Sequence, residues 1–283
     1  MRYAVGIPNV GDYGDPGLLV ELAREAEASG WDAVLLWDHV AYRRRGWPVA
    51  DPTVVLSAIA MATSQVRIGM LAAALPRRRP WKLARETATL DQLSGGRLVL
   101  GVGLGSQAEQ EYAAFGEDGD ARVRAGRLNA GLQILDGLWS GAAFTYQGEH
   151  YRVDETVFLP RPVQRPRIPV WVAGRWPNRA PFRRAAHWDG VVPTHAGVDH
   201  AGTMTPAQLE EIVRYTLAYR PAALGPLEVV AEGHTGGRDR AADHDRVAAL
   251  AAAGLTWWVE KLGWFHGPLS TARDRVRSGP PRA

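Results

Sequence analysis

Asp38 and His39 are the residues of this chain whose types and position best suit proton chemistry. A histidine titrates near neutral pH and can take up or release a proton, and an adjacent carboxylate can orient it. The pair follows the apolar run 33–37, which is too short for a helix and is typical of a buried strand. Polar residues at the carboxyl end of a buried parallel strand are where α/β enzymes keep their chemistry. The alternative is that Asp38 caps a turn and His39 is an ordinary loop histidine.

Three other histidines are candidates for proton transfer. His195 and His234 follow predicted strands, and His266 lies in the last loop. They fit ordinary loop residues equally well. His39 is the better candidate because it leaves a buried strand together with a carboxylate.

Several other chemistries are poorly supported. The chain has no cysteine, which excludes disulfides, thiolate nucleophiles and zinc–thiolate sites. The glycine-rich stretch 101–106 lacks the last glycine of the GxGxxG dinucleotide motif, and the chain contains neither GxSxG nor a P-loop. Asp199 and His200 lie near His195 at a spacing that matches no standard metal site, so we expect no metal centre. Asp243-His244-Asp245 is interpreted as a solvated helix start.

The composition is that of an ordinary globular protein. The chain has 283 residues, of which 46% are hydrophobic and 22% charged, and this length suits one α/β barrel domain. A formal net charge of +3 does not indicate a nucleic-acid partner. The N-terminus has no apolar signal region, and no run of about 18 apolar residues occurs. We therefore expect a cytoplasmic protein that does not enter a membrane.

The basic residues are nearly all arginine, since Lys82 and Lys261 are the only lysines among 33 Lys and Arg residues. Clusters of arginine are usually solvated surface, and the alternative is a rim that meets an anionic ligand. The clusters are Arg43 to Arg45, Arg77 to Arg79, and Arg183-Arg184.

Strand patterns alternate with helix patterns along the chain. Asp15-Pro16 and Asp51-Pro52 each combine an N-cap residue with a proline at the first helical position. The alternation breaks over 142–167, where a small hairpin about Gln147-Gly148 and several prolines predict an insertion rather than a second domain. The predicted strands are 3–7, 31–37, 66–71, 97–100, 169–172, 189–192, 227–231 and 256–259.

Eight strands alternating with eight helices predict a single domain over 1–283, a closed TIM (β/α)8 barrel with a small insertion at 142–167. An open doubly wound sheet is the alternative. In the barrel, small residues at three strand ends leave room for a flat ligand, and exposed glycine backbone can approach a phosphate. Tryptophans at the same end favour an apolar or aromatic substrate. They are Trp37, Trp47, Trp176 and Trp264.

A set of short motifs is spread over the first two thirds of the chain. The motifs are Asp38-His39, RIG at 67–69, Pro80, LSGGRLVLGVGLG at 93–105, EYAAFG at 111–116 and IPVWVAG at 168–174. Together they resemble the luciferase-like monooxygenase superfamily. SGGR followed by LGVGxG is rather specific, whereas the Asp-His pair alone is not. The resemblance covers residues 3–192 well and 227–283 loosely.

This resemblance implies a TIM barrel that uses either flavin mononucleotide (FMN) or the deazaflavin coenzyme F420. The Asp-His pair is similar to that of the deazaflavin branch, which implies that His39 is the acid–base and that Asp38 lies by the ring. A non-proline cis peptide at Leu71-Ala72 is also implied. The cofactor-binding residues so implied are Asp38, Leu71, Ala72, Ala73, Gly103, Gly105, Ser106, Ala173, Gly174 and Arg175. The candidates for substrate contact are Trp47, His195 and Trp264.

The chain departs from the family's sugar-phosphate dehydrogenases. Ser106 stands where they have a glutamate, and their phosphate-binding lysines have no counterpart here. We therefore do not expect a sugar-phosphate dehydrogenase. The resemblance of the Asp-His pair to the deazaflavin branch implies hydride transfer between F420 and a small organic substrate. One alternative is an FMN-dependent monooxygenase that uses reduced flavin and oxygen, with a partner reductase supplying the reduced cofactor. Another is a non-catalytic flavin-binding barrel, against which His39 argues. The resemblance also implies a possible homodimer.

Overall fold

The computed structural model describes residues 1–282. The strands are β1 (Arg2–Ile7), β2 (Ala33–Leu36), β3 (Arg67–Ala74), β4 (Leu98–Gly103), β5 (Ala143–Gln147), β6 (Arg152–Val157), β7 (Val170–Trp176), β8 (Gly190–His195), β9 (Glu228–Gly233) and β10 (Trp257–Lys261). The helices are α1 (Pro16–Ala28), α2 (Pro52–Ala62), α3 (Pro80–Leu93), α4 (Ala108–Glu111), α5 (Ala121–Trp139), α6 (Arg179–Ala185), α7 (Pro206–Leu217), α8 (Arg240–Ala252) and α9 (Leu269–Arg277).

Eight parallel strands close into a barrel, which confirms the predicted fold. Their order around the barrel is β1, β2, β3, β4, β7, β8, β9 and β10, and β10 pairs with β1 to complete the circle. The hairpin predicted within 142–167 is present, because β5 and β6 pair antiparallel outside the barrel. No helix among residues 1–282 is long and apolar enough to cross a lipid bilayer.

The helix starts form as the sequence predicts. The Asp15 carboxylate caps α1 by accepting a hydrogen bond from the Leu18 N–H, and Asp51 caps α2 through the Val54 N–H. A proline begins each of these helices. An N-cap carboxylate satisfies one of the free N–H groups of the first turn.

Inward-pointing side chains fill the barrel interior as a core separate from the layer between strands and helices. Successive residues of a strand point to opposite faces, so every second residue enters this interior. The interior cluster comprises Ala4, Ala33, Leu35, Leu71, Val99, Trp171, Val192, Val230, Trp257 and Val259.

The strands that end at the mouth are longer than predicted. β3 continues to Ala74, β4 to Gly103 and β7 to Trp176. The predicted end of the fourth strand at residue 100 is therefore three residues too early. Runs of small residues weaken a strand signal, but pairing with neighbouring strands holds Gly101, Val102 and Ala173 in the barrel.

Helix α8 begins at Arg240, before the helix start that was predicted at residues 243–245. Asp243 is 7% exposed, and its carboxylate accepts hydrogen bonds from the N–H groups of Gly236 and Gly237. The interpretation of Asp243 as a solvated helix start is thus wrong, because the residue ties the preceding loop to the helix.

Gly69 allows β3 and β4 to lie side by side, and its replacement by alanine tests this. A Cβ at Gly69 would lie 2.2 Å from the Val99 carbonyl oxygen on the paired strand. We expect Gly69→Ala to lower the free energy of unfolding by about 1–3 kcal/mol in urea titrations, because the strands must separate. Gly225→Ala is the control, since no atom lies within 4 Å of its added carbon. Equal stability of the two variants would contradict this close approach.

Candidate active site at the barrel mouth

Asp38 follows β2 and holds two arginines of the segment after β3. Its carboxylate receives Arg78 Nη2 at 2.7 Å and Arg78 Nε at 3.2 Å, lies 3.0 Å from Arg77 Nη2, and accepts the Ala74 N–H at 2.8 Å. The side chain is 1% exposed. Burial raises the pKa of Asp38, but Arg78, Arg77 and the Ala74 N–H outweigh it, so the pKa lies below its ordinary value. Asp38 is therefore a fixed anion.

His39 is held by a carboxylate other than Asp38. Its Nδ1 lies 2.8 Å from Glu111 Oε1, at the end of α4, and the Val40 N–H donates to the same oxygen at 3.1 Å. When the imidazole is neutral, a carboxylate at Nδ1 favours the tautomer that has its proton on Nδ1 over the one that has it on Nε2. Nε2 then carries the free lone pair, and no residue among 1–282 forms a hydrogen bond with it. This arrangement suits a general base.

Arg77 joins the two carboxylates. Its Nη1 donates to Glu111 Oε2 at 2.8 Å, and its Nη2 donates to the Asp38 carbonyl at 3.1 Å. Asn9, after β1, fixes the backbone of His39, since its Nδ2 donates to the His39 carbonyl at 2.9 Å and its Oδ1 accepts the His39 N–H at 3.3 Å. The histidine is thus positioned by residues that follow three strands other than its own.

A cavity of about 470 Å³ opens beside this network. Its lining includes Asp38, His39, Arg77, Arg78, Glu111 and Phe115. Among residues 1–282 there is no group of three or more His, Cys, Asp or Glu side chains placed to hold a metal ion.

Aromatic rings surround His39 on the barrel side. Its ring centroid lies 5.8 Å from that of Trp37 and 5.0 Å from that of Tyr42, both edge-on. Trp264 contacts Trp37, Tyr42 and Trp47 at centroid distances of 6.0, 5.6 and 4.8 Å. The structure therefore brings the predicted substrate candidates Trp47 and Trp264 together with His39.

The ends of β3, β4 and β7 meet in a small-residue floor, which we define as Ala72, Gly103 and Ala173. A Cβ built on Gly103 would lie 3.4 Å from the Ala173 Cβ and 3.8 Å from the Ala72 Cβ. The peptide between Leu71 and Ala72 is cis, in agreement with the family resemblance. No side chain larger than a methyl group projects from this floor.

Three other predicted cofactor residues lie on the same strands. Ala73 is fully buried in the layer between barrel and helices, and Leu71 is part of the barrel interior. A Cβ on Gly174 would lie 2.7 Å from Pro181 of α6, so the position of its missing side chain faces outward and serves helix packing. The contacts of these three residues with a cofactor stay predictions.

Gly105 and Ser106 lie beyond the end of β4. Gly105 has a backbone φ of 74°, in the left-handed region that glycine adopts more readily than other residues. Ser106 is exposed. The loop is held because Tyr112 and Arg124 both donate to the Leu104 carbonyl, at 2.8 and 3.0 Å. Arg175 is exposed at the end of β7, and its role stays a prediction, as do those of Gly105 and Ser106.

His195 and Trp176, at the end of β8 and of β7, have contacts other than those with the aromatic rings around His39. The Gly197 N–H donates to His195 Nδ1 at 2.9 Å, so this ring is bonded to its own loop. Trp176 is buried against Phe182 and Tyr215, outside the barrel. The expectation that Trp176 lines the mouth is therefore wrong.

The sequence analysis missed Glu111 and Asn9. Glu111 stands in the EYAAFG motif, which contributed only to the family resemblance. A glutamate in the segment after β4 was the available signal, because all carboxyl strand ends meet at one face of a barrel. Asn9 follows β1 and carried the same signal.

A family model described as luciferase-like monooxygenase matches residues 4–274. An F420-dependent glucose-6-phosphate dehydrogenase of Kineococcus radiotolerans is 32% identical over 200 residues, 69% of this chain and 58% of that protein. The oxygenase component of a flavin-dependent trigonelline monooxygenase of Acinetobacter baylyi is 32% identical over 183 residues, 63% of this chain and 49% of that protein. The chain thus spans less than two thirds of these relatives.

A solved structure of similar fold is the coenzyme F420-dependent tetrahydromethanopterin reductase of Methanopyrus kandleri. It superposes with a TM-score of 0.74 at 17% identity and covers 98% of this chain and 97% of that chain. At this identity the likeness concerns the fold alone.

The fixed charge of Asp38 is tested by Asp38→Asn. We expect the variant to lose roughly 3–5 kcal/mol of unfolding free energy at pH 7, because Arg77 and Arg78 keep their charges without the carboxylate. The native pKa is depressed, so the contribution of Asp38 is complete above its unfolded value of about 3.9 and falls as acid protonates it.

Urea titrations from pH 7 down to about 3 measure this loss. Asp245→Asn, on the exposed part of α8, is the matched control and should follow the unmodified protein at every pH. A constant difference between Asp38→Asn and the unmodified protein down to the most acidic point would contradict the fixed anion.

Proposed function

The chain belongs to the luciferase-like monooxygenase family, and we propose that it exchanges a hydride between coenzyme F420 and a small organic substrate, with His39 as the acid–base. The observation that carries this proposal is the His39–Glu111 contact of 2.8 Å at the barrel mouth. Glu111 orients the imidazole, and Arg77 compensates the charge of Glu111. A positioned histidine is what a reaction with proton release requires.

The small-residue floor supports a flat cofactor. Ala72, Gly103 and Ala173 present no side chain larger than a methyl group, and a Cβ on Gly103 would occupy the space between the other two. We propose that these residues back the ring and that Gly105, Ser106 and Arg175 lie along the rest of the cofactor. Absence of side chains lets a ring lie against the backbone.

Charge at the rim supports an anionic cofactor. Arg43, Arg44 and Arg45 are exposed in the loop after β2, and the Arg44 guanidinium lies 4.6 Å from the ring centroid of Trp47. Arg77 and Arg78 are bound to carboxylates instead. The cluster 43–45 and the exposed Arg79 are therefore available to an anionic tail.

Bound F420 supplies a two-electron hydride acceptor or donor. Oxidation of a carbinol carbon releases a hydride and one proton, and reduction takes up both. His39 Nε2 accepts the proton in the first direction, and the imidazolium returns it in the second. Glu111 stabilises the imidazolium through Nδ1–H, since its carboxylate oxygen lies 2.8 Å from Nδ1.

A second candidate is oxygenation with reduced FMN. It is supported by the 32% identity to the flavin-dependent trigonelline monooxygenase component. In that case a partner reductase would supply the reduced flavin. Both candidates use the same floor, so cofactor preference separates them.

His39→Gln tests the acid–base role. Glutamine keeps polarity and some bulk but cannot exchange a proton, so we expect kcat to fall by about 10²–10⁴-fold with cofactor affinity unchanged. The assay follows F420 absorbance with a panel of alcohols and ketones. Glu111→Gln keeps a hydrogen-bond acceptor without the charge and should lose less than His39→Gln. Turnover by His39→Gln at the unmodified rate would overturn the assignment.

Parallel titrations with F420 and with FMN, followed by fluorescence quenching, test the cofactor. We expect saturable binding of F420 and a Kd about tenfold or more weaker in Gly103→Val, whose side chain fills the floor. Thermal melting provides the folding control. Binding of FMN alone favours the oxygenase, and binding of neither contradicts both candidates.

A further inference from the structure

Lys261 is a buried lysine that points into the barrel mouth. It is the last residue of β10, and it follows the interior residues Trp257 and Val259 in the alternation of that strand. The residue is 8% exposed. Among residues 1–282 its one charged partner is Glu232, with Lys261 Nζ at 3.6 Å from Glu232 Oε2, and Nζ donates no hydrogen bond.

Glu232 lies on the neighbouring strand β9, in register with Val259, which is one inward position before Lys261. It follows Val230 of the interior cluster in the alternation, and its side chain is 16% exposed. Its Oε1 is buried and has no hydrogen-bond partner among the described residues. A Cβ on Gly6 of β1 would lie 3.6 Å from this oxygen, so the glycine places no side chain against it. A buried carboxylate oxygen without a partner is costly.

Aromatic rings connect this pair to His39. Lys261 Nζ lies 5.9 Å from the ring centroids of both Trp37 and Phe265. These two rings are parallel within 8° at a centroid distance of 6.2 Å. Trp37 also contacts the His39 ring, at 5.8 Å. Lys261 and the proposed acid–base therefore both lie within 6 Å of the ring centroid of one tryptophan.

We propose that Lys261 and Glu232 form a polar anchor for the substrate. The anchor binds a neutral group that accepts a hydrogen bond from Lys261 and donates one to Glu232 Oε1, such as a hydroxyl or a primary amide. The group is carried on a flat apolar body that packs against the aromatic rings. The inference rests on the proposed function, because it takes the mouth to be the place of the redox reaction.

The charges of the pair determine which ligands fit. A lysine and a glutamate together carry no net charge, so an anionic ligand meets Glu232 and a cationic ligand meets Lys261 at close range. A neutral group with one donor and one acceptor can hydrogen-bond to both Lys261 and Glu232 without adding charge. Hydrogen bonds to charged groups are stronger than those between neutral groups, which gives selectivity over a purely apolar ligand.

Binding of four benzene derivatives to the full chain tests the anchor. The probes are benzamide, toluene, benzoate and benzylammonium, measured by ligand-observed NMR with the cofactor absent. We expect benzamide to bind about tenfold more tightly than each of the others. Glu232→Gln should shift the preference to benzoate, and Lys261→Met should shift it to benzylammonium, because each variant leaves one charge unpaired.

The double variant Lys261→Met, Glu232→Gln removes both charges and keeps similar volumes, so it guards against misfolding of the single variants. It should lose the preference for benzamide. Lys82→Met is the matched control, since Lys82 is the other lysine and pairs with Glu86 on the surface of α3. It should bind all four probes as the unmodified protein does.

Three results would overturn the anchor. They are equal or absent binding of the four probes to the unmodified protein, the same preference in the double variant, and displacement of benzamide by F420 or FMN. None of these measurements requires turnover. Loss of the probe preference with an intact effect of His39→Gln would reject the anchor alone, whereas the reverse would reject the proposed reaction alone.

Discussion

The structure of the mouth depends on the compensation of two buried carboxylates by Arg77 and Arg78. Arg77 contacts Asp38 and Glu111 at once, and both side chains are 1% exposed. A buried charge without a partner is strongly unfavourable, so the segment after β3, the residues after β2 and helix α4 are fixed relative to one another. The position of His39 follows from this, because Glu111 is the residue that holds its ring.

The barrel and the position of His39 at its mouth could be predicted from the sequence, because the signals for both are local. Short apolar runs, N-cap residues and prolines each act within a few residues, and they predict the strand and helix order well. Glu111 lies 72 residues from His39 and meets it only because both follow barrel strands. Lys261 and Glu232 are also far from His39 in the sequence. Their inward direction depends on strand alternation, which becomes known only when the strand limits are known.

The assignments of Asp38 and of the small residues show where composition alone misleads. Asp38 has the residue type of a catalytic acid, but two arginines and a backbone N–H use its oxygens. Gly103 and Gly174 are alike in the sequence, yet one faces the mouth and the other faces α6. The direction of the missing side chain decides which glycine serves a ligand and which serves packing. That direction follows from strand parity and from the helices behind each strand.

The mouth is divided between two separate parts of the chain. His39, the proposed proton-transfer group, and the residues that hold it lie within 9–111, whereas Glu232 lies on β9 and Lys261 on β10. The two parts meet where β10 pairs with β1 and where Trp37 contacts both. Recombination that exchanged the last two βα units between paralogous genes would therefore replace the residues of the anchor and retain His39 with its supports. Substrate range and redox chemistry can in this way diverge at different rates during the evolution of such barrels.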